Sequence, residues 1–410
     1  MSETFRPENE AQVAEAVAWA AAEEVPLEVL GRSSKRGLGR PVQAAHGLDL
    51  SALAGITLYE PEELVLSAGA ATPLTEIEAA LAGCNQQLAF EPGDLGPFYG
   101  RPAGSGTIGG VLACNLAGPR RIKAGAARDH FLGFRGVSGR GEAFKAGGRV
   151  VKNVTGYDLC KLLAGSYGTL AALTEVTVKV LPAAEKTRTV LLLDLPAERA
   201  VVAMTRALQS SHEVSGAAHL PADVAAGSGV SYVHQAGASV TAIRVEGPGP
   251  SVEHRTLALR RELGDLGATE ELHSVNSATL WTELRDLAPF HGRGDEIVWR
   301  LSVPPAAGAQ VVDRIVAGLH ARYYLDWGGG LIWLALPVGG APDDGGAGEI
   351  RAAVAESGGH ATLMRGPESL RNAVPVFQPQ TAAVAALTRR VKEGFDPRGV
   401  LNPGRMYSGL

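Results

Sequence analysis

Gly31-Arg32-Ser33-Ser34-Lys35-Arg36-Gly37-Leu38-Gly39 follows directly on Pro26-Leu27-Glu28-Val29-Leu30, an apolar stretch that reads as a short strand. Successive backbone N–H groups in such a turn form a concavity suited to an anion. Ser33 and Ser34 add hydroxyl donors, and Lys35 and Arg36 add positive charge. A diphosphate is the natural occupant. The alternative is a Gly-rich strand-to-helix turn with solvated charges, and the loop alone leaves both readings open.

Upstream, residues 9–24 read as a helix with Val13, Val17 and Ala20 on one face, stopped by Pro26. Downstream, Leu64–Gly69 reads as a strand. Thr72–Leu81 reads as a helix with Thr72 as N-cap and Pro73 at its first position. Residues 91–125, rich in Gly and Pro, read as loop. Within them Gly104-Ser105-Gly106-Thr107-Ile108-Gly109-Gly110 matches G-x-G-x-x-G, with Asp129 twenty residues past Gly109. A nicotinamide fingerprint needs a buried strand before the glycines and an acidic residue ending a second strand. Neither context is present here. Backbone passing close to a flat cofactor accounts for these glycines better.

A third Gly-rich segment runs Lys152-Asn153-Val154-Thr155-Gly156-Tyr157-Asp158-Leu159, then Leu162-Leu163-Ala164-Gly165-Ser166-Tyr167-Gly168-Thr169-Leu170. Asp158–Ala164 reads as a short helix that Asp158 caps, with Tyr157 and Leu162 in the core. Phe131–Ser138, Ala143–Val151 and Leu173–Val180 read as strands. Past a boundary at Pro182–Lys186, strands are expected at Thr189–Leu193, Val240–Val245, Ile297–Val303 and Leu331–Leu336. Helices are expected at Glu198–Ser210, Ser251–Leu263 and Ala307–His320, an α+β pattern. Gly339–Gly348 reads as an exposed loop, and a last helix covers about Thr381–Glu393.

The chain has 410 residues, net charge −5 and three cysteines, Cys84, Cys114 and Cys160. The length allows two or more domains with full cores. The charge disfavours nucleic acid as principal partner. With no C-x-x-C pair and an odd count, neither a disulfide framework nor an iron–sulfur or cysteine-based zinc site is expected, and no metal is assigned. A reducing cytoplasm fits. The first residues lack the pattern of a signal peptide, and no transmembrane segment is expected.

The three glycine turns in this order, the Lys152–Leu159 segment, the Gly165–Leu170 turn and the terminal Phe395-Asp396-Pro397-Arg398-Gly399-Val400-Leu401-Asn402-Pro403-Gly404-Arg405 together resemble the FAD-linked oxidase family of the vanillyl-alcohol oxidase/PCMH type. Within it, Cys114-Asn115-Leu116-Ala117-Gly118-Pro119-Arg120-Arg121 resembles FAD-binding subunits of bacterial glycolate oxidase complexes. The resemblance covers residues 5–182 and about 380–407.

It implies an α+β chain with a PCMH-type FAD-binding domain at 1–182, made of two α+β subdomains at about 1–58 and 59–182. An α+β cap would follow at 183–380, and a tail at 381–410 would return to the FAD domain. By the same resemblance, Gly31, Arg32, Ser33, Ser34 and Lys35 hold the FAD diphosphate. Gly106, Thr107, Ile108, Gly109 and Gly110 run beside the flavin and ribityl chain, with Asn115 nearby. Gly165, Ser166, Gly168, Thr169 and Leu170 lie near the adenosine half, where Ala171 replaces a frequent Gly. Asn402 belongs to the returning tail.

Many relatives attach FAD through a histidine in or near the first loop. Gly31–Gly39 has none, so non-covalent FAD is expected, with His46 a surface or turn residue and Cys114 buried and inert. Catalytic subunits of the family carry a His-containing Gly-His-x-Gly-Asp-Gly-Asn-x-His segment in the cap. The comparable Leu325-Asp326-Trp327-Gly328-Gly329-Gly330-Leu331-Ile332-Trp333 has no histidine, so no catalytic residue is assigned. His291 and His360 remain as candidate bases. Arg120, Arg121 and Lys123 suit a diphosphate, a substrate carboxylate, a partner subunit or solvent.

The implied function is an FAD-bearing subunit of a glycolate (2-hydroxy acid) oxidising complex. Its expected partners are a homologous catalytic flavin subunit and an iron–sulfur subunit. The expected location is the cytoplasm, with peripheral membrane association through the complex as an option. A self-sufficient FAD-dependent dehydrogenase of a small 2-hydroxy acid and a non-catalytic FAD scaffold are the alternatives.

Overall fold

The computed structural model of the protein describes residues 3–149 and 156–410. Lys152–Thr155 and the end of the expected Ala143–Val151 strand lie outside them. The chain divides into two compact units. The first comprises residues 1–117, 125–183 and 375–410, and the second residues 118–124 and 184–374. Residues 118–124, placed by sequence inside a continuous 1–182 domain, therefore pack with the second unit.

The first unit contains β1 (Thr4–Phe5), helix α1 (Glu10–Glu23), β2 (Leu27–Leu30) and β3 (His46–Asp49), with the strands joined in parallel in the order β1-β3-β2. The Asn9 side chain caps α1 by accepting from Gln12 N at 3.0 Å. Val13, Ala16, Val17 and Ala20, at helical spacing, are buried against Leu27, Leu48 and Leu50. A fully buried Val is worth about 1.5–3 kcal/mol, so this face docks the helix. Val400 and Leu401 from the far end of the chain complete the same cluster.

The rest of this unit is built on β4 (Ile56–Glu60), β5 (Val65–Gly69), α2 (Leu74–Ala82), β6 (Gln86–Gln87), α3 (Ile108–Cys114), β7 (Phe131–Ser138), β8 (Ala143–Gly147), α4 (Leu159–Leu163), β9 (Ala171–Lys179) and β10 (Leu181–Pro182). Five strands form an antiparallel sheet in the order β4-β5-β9-β7-β8, and β10 pairs with β6. Thr72 does not cap α2. Pro73 takes that position, and Thr72 Oγ1 instead donates to Gly69 O at 2.7 Å, fixing the turn out of β5. Asp158 caps α4 by accepting from Lys161 N at 3.3 Å. Tyr157 is 90% exposed and Leu162 38%, so neither is core; α4 is too short to bury more than one side, and it turns Cys160 and Leu163 inward.

The second unit is an eight-stranded antiparallel sheet of β11 (Lys186–Leu193), β12 (Val214–Leu220), β13 (Val240–Gly247), β14 (Thr269–Leu272), β15 (Glu296–Ser302), β16 (Arg322–Asp326), β17 (Leu331–Pro337) and β18 (His360–Arg365), in the order β14-β11-β13-β12-β16-β17-β15-β18. Helices Ala197–Gln209, Gly249–Leu263, Ser274–Arg285, Gly308–Gly318 and Ala347–Ala355 accompany it. Gly339–Gly348 is only partly exposed. Asp344 accepts from Gly346 N and Gly348 N, and Gly345 O accepts from the buried Trp299 indole at 2.9 Å. Among the described residues no helix is long and apolar enough to cross a membrane.

Candidate functional site

β2 ends at Leu30, and the chain leaves the sheet through Gly31 into the loop quoted above, with Ser33 at φ 57°. Among the described residues, no acceptor within the protein takes the backbone N–H groups of Arg32, Ser33, Ser34 or Lys35. Arg32 is exposed, but Ser33, Ser34 and Lys35 are buried or half-buried, where backbone donors are normally paired, so their run marks a surface built to receive an acceptor. Lys35 Nζ donates to Ser34 Oγ at 3.1 Å and, among the described residues, has no ion pair. Lys35 is half-buried. Burial lowers its pKa from the ordinary lysine value, against the opposing pull of Cys114 and Asp94.

These residues line a cavity of about 850 Å3, counting its open mouth. Gly31, Arg32, Ser33, Ser34, Lys35, Thr107, Gly109, Gly110, Gly168 and Asn402 all face it. The opposite wall is α3. Thr107 caps this helix by accepting from Gly110 N at 3.3 Å. A Cβ on Gly110 would lie 3.0 Å from Lys35 Cε, so a hydrogen there is what leaves room for the lysine. Residues 91–125 are thus not uniformly loop. The G-x-G-x-x-G segment opens a helix, but a single 3-10 turn, Pro97–Tyr99, precedes it instead of a strand. Asp129 is spent locally, accepting from Ala126 N at 2.8 Å, and this removes the acidic partner that a nicotinamide fingerprint requires.

The remaining sequence candidates stand behind the wall. Ile108 is fully buried, and Gly106 O accepts from Leu74 N at 3.0 Å. Asn115, left-handed at φ 48°, ends α3, and its side chain accepts from Arg128 N at 3.0 Å. Gly165 N donates to Leu112 O at 3.2 Å, and Thr169 Oγ1 donates to Ser166 O at 2.6 Å. Leu170 is buried. Together they brace the turn that presents Tyr167 and Gly168. Gly168 has φ +69°, and a Cβ there would come within 2.8 Å of Asn402 Nδ2, so only glycine suits both the conformation and the approach.

Sequence reasoning missed Leu50, Ala70, Ala71, Tyr167 and Arg405, which also line the cavity. Arg405 was visible in the terminal motif. Its Nη2 donates to Lys35 O at 3.0 Å, fastening the tail to the first loop. The tail is itself held by a buried pair. Lys392 Nζ donates to Asp396 Oδ2 at 2.6 Å, Thr169 O at 2.7 Å and Leu401 O at 2.9 Å. Cys114 lines the cavity half-buried. Burial pushes its thiol pKa up, opposed by Lys35 and Arg405. His46 is neither a surface nor a turn residue: it begins β3 and packs on Phe5 and Trp19, with ring centroids 5.9 and 5.3 Å apart.

In the second unit, the basic loop residues part company. Arg120 makes a two-pronged ion pair with Glu246, at 3.0 and 2.8 Å, and is not a solvated loop residue. Burial would raise the Glu246 carboxyl, but Arg244, Arg120 and Ser215 outweigh it and hold it down to about 2. Lys123 is exposed, 3.5 Å from Glu213. The Leu325–Trp333 segment is the strand–turn–strand expected, β16 and β17 joined through Trp327–Gly329. His291 Nε2 bonds the backbone carbonyl of Asp286 at 2.7 Å, which makes it a structural residue rather than a base. His360 is exposed on β18.

Comparison with known proteins adds to this geometry. A family described as an FAD binding domain matches residues 2–147. The chain is 36% identical over 397 residues to the glycolate oxidase subunit GlcE of Escherichia coli (strain K12), an overlap spanning 97% of each chain. It is 42% identical over 87 residues to the glycolate oxidase subunit GlcD of Bacillus subtilis (strain 168), spanning 21% of this chain and 18% of that one. Among solved structures, p-cresol methylhydroxylase with substrate bound superposes with a TM-score of 0.71 at 14% identity, covering 98% of this chain and 88% of that one, which shows a shared fold.

Proposed function

This chain belongs to the family of the glycolate oxidase subunit GlcE, FAD-binding oxidoreductases of PCMH-type fold, and from that premise we propose that it serves as the FAD-bearing subunit of a 2-hydroxy acid oxidising complex, with glycolate the leading substrate. The observation that carries the placement of FAD is the run of N–H groups at Arg32–Lys35 that, among the described residues, meet no acceptor within the protein, beside a lysine that makes no ion pair with any of them. A diphosphate supplies the acceptors and the negative charge that this wall lacks.

In this reading Ser33, Ser34 and Lys35 hold the diphosphate. Gly109 and Gly110 let the α3 backbone approach the cofactor, and Gly168 with Asn402 closes the remaining side. FAD, when bound, supplies the two-electron acceptor for oxidation of a hydroxy acid. The cofactor is held non-covalently: Gly31–Gly39 has no histidine, and burial keeps the Cys114 thiol protonated and poorly nucleophilic.

GlcE and GlcD are both named as glycolate oxidase subunits, so a GlcD-like flavin subunit is the first expected partner. An iron–sulfur subunit is the second, because this chain's three cysteines form no cluster motif of their own. The absence of C-x-x-C pairs and of disulfide spacing supports a cytoplasmic location. Expressing the full chain and recording its visible spectrum tests the proposal. Yellow protein that loses its colour on acid precipitation supports dissociable FAD. A folded, colourless protein that takes up no added FAD overturns it.

A further inference from the structure

The terminal helix, Ala382–Phe395, is fastened chiefly at its far end. There Lys392 pairs with Asp396, the Phe395 carbonyl accepts from Gly139 N at 3.0 Å, and the Phe395 ring meets Phe144 with centroids 6.0 Å apart. At the other end no side chain caps the helix at Thr381, and Gln380 Nε2 donates to Thr388 Oγ1 at 3.0 Å. Among the described residues of this helix only Lys392 is buried. A helix of 14 residues is marginal in water by itself and takes its stability from packing an apolar face.

That apolar face exists and is turned outward. Val384, Leu387 and Val391 follow the i, i+3, i+7 spacing that sets side chains in one stripe. Val384 is 48% exposed, Leu387 56%, and Val391 is half-buried. Ala383 and Ala386 are exposed as well. Exposed apolar side chains scattered singly are ordinary. A stripe of them at helical spacing is the pattern by which a helix anchors in an apolar groove.

Charge decides which partner fits. Arg389 and Arg390 are exposed, and among the described residues neither meets a carboxylate. Residues 381–392 contain no Asp or Glu. Pairing this stretch with the same stretch of a second copy would add further arginines and supply no carboxylate. The complementary surface is an apolar groove edged by Asp or Glu on a different chain.

We propose that the Val384–Leu387–Val391 stripe docks the terminal helix into such a groove on the GlcD-like flavin subunit. That this subunit is the occupant rests on the proposed function; the stripe and its charge do not.

Co-expression of the full chain with the GlcD-like subunit of the same organism, followed by size-exclusion chromatography and titration of the purified partners, tests this. Val384→Glu and Leu387→Glu are each expected to weaken the complex at least tenfold. Both side chains are exposed, so melting temperature and flavin content of the isolated variants are expected to match wild type. Wild-type affinity is expected to fall as salt rises, and a variant with Arg389→Ala and Arg390→Ala to lose most of that salt dependence. Val202→Glu, similarly exposed on a helix of the second unit, is expected to change nothing. Folded stripe variants that bind the subunit as wild type does would overturn the docking site and leave the proposed function standing. A wild-type chain that loads FAD yet forms no complex would overturn the partner together with the site. A wild-type dimer that Leu387→Glu splits into monomers would give the stripe to a second copy and overturn the proposal.

Discussion

The side chain of Asn402 accepts a 2.8 Å hydrogen bond from the backbone N–H of Val29, 373 residues earlier in the chain. Its Nδ2 donates to Tyr167 O, also at 2.8 Å. One amide therefore ties together the strand that launches the first loop, the turn that presents Gly168, and the returning tail. Asn402→Ala leaves both backbone groups without their partner, at a cost of about 1–3 kcal/mol each. The expected outcome is a lower melting temperature together with a reduced flavin-to-protein absorbance ratio. Asn402→Asp keeps the acceptor for Val29 but loses the donor for Tyr167, so it should fall between the two. An alanine variant with wild-type flavin content would remove Asn402 from the site.

Gly110 separates folding from cofactor binding. It lies inside α3, where Ala is favoured over Gly by about 1 kcal/mol. A methyl there meets Lys35 Cε at 3.0 Å and Nζ at 3.2 Å. Gly110→Ala is expected to leave the melting temperature of the flavin-free protein unchanged or raised while weakening FAD binding about tenfold, equivalent to about 1.4 kcal/mol. Fluorescence titration of flavin-stripped protein with FAD reads this directly. Equal affinities for variant and wild type would show that Lys35 does not need its present position.

Lys392 and Asp396 form the buried lock on the tail. All three ammonium hydrogens are used, and Asp396 also accepts from Val400 N at 3.0 Å and Leu401 N at 2.8 Å. Burial lowers the lysine pKa, and the Asp396 charge opposes that shift. Removing one partner strands the other, which costs about 3–5 kcal/mol in such settings. Lys392→Met should destabilise the protein by that order in urea titrations. Proteolysis should then begin at the C-terminal segment, because the lost bonds are those that hold it. A variant within about 0.5 kcal/mol of wild type would contradict the lock.

Acid stability in the second unit follows from two groups. Burial holds the His219 imidazole down to about 4, against an ordinary 6.5 for a solvated imidazole, with Nδ1 and Thr241 Oγ1 2.9 Å apart. Below pH 6.5 the unfolded chain gains a proton that the folded chain refuses, so stability is complete above 6.5 and declines as pH falls toward 4. Glu246, held at about 2 against an ordinary 4.5, contributes stability that is complete above 4.5 and lost as pH falls toward 2. His219→Gln should flatten the melting-temperature profile between pH 6.5 and 4. Glu246→Gln should lower stability throughout the neutral range, because Arg120 and Arg244 lose their counter-charge, and should flatten the profile below 4.5. A profile of His219→Gln parallel to wild type would refute the first assignment.

Local patterns made much of the fold legible. Helix α1, strands β5, β7 and β9, and the Leu325–Trp333 turn carry their own signals in apolar period, caps and glycines. Strands β12, β14 and β18 were missed. β12 alternates nothing, because all seven of its residues are buried, and β14 and β18 mix charge with apolar residues as half-covered strands do. Tyr157 was misplaced in the core because hydrophobicity was taken for burial beside a helix too short to bury it.

The sequence by itself determined the order of the glycine turns, the strand before the first loop and the terminal motif, since each depends on residues adjacent in the chain. That is enough to define the family and its cofactor. Only the tertiary structure decided that Arg405 grips Lys35, that Arg120 belongs to Glu246 while Arg121 lies on Trp327, and that His360 stands diagonal to Arg300. Those pairings depend on strand register and on where a loop crosses from one unit to the other, and sequence spacing carries no measure of either.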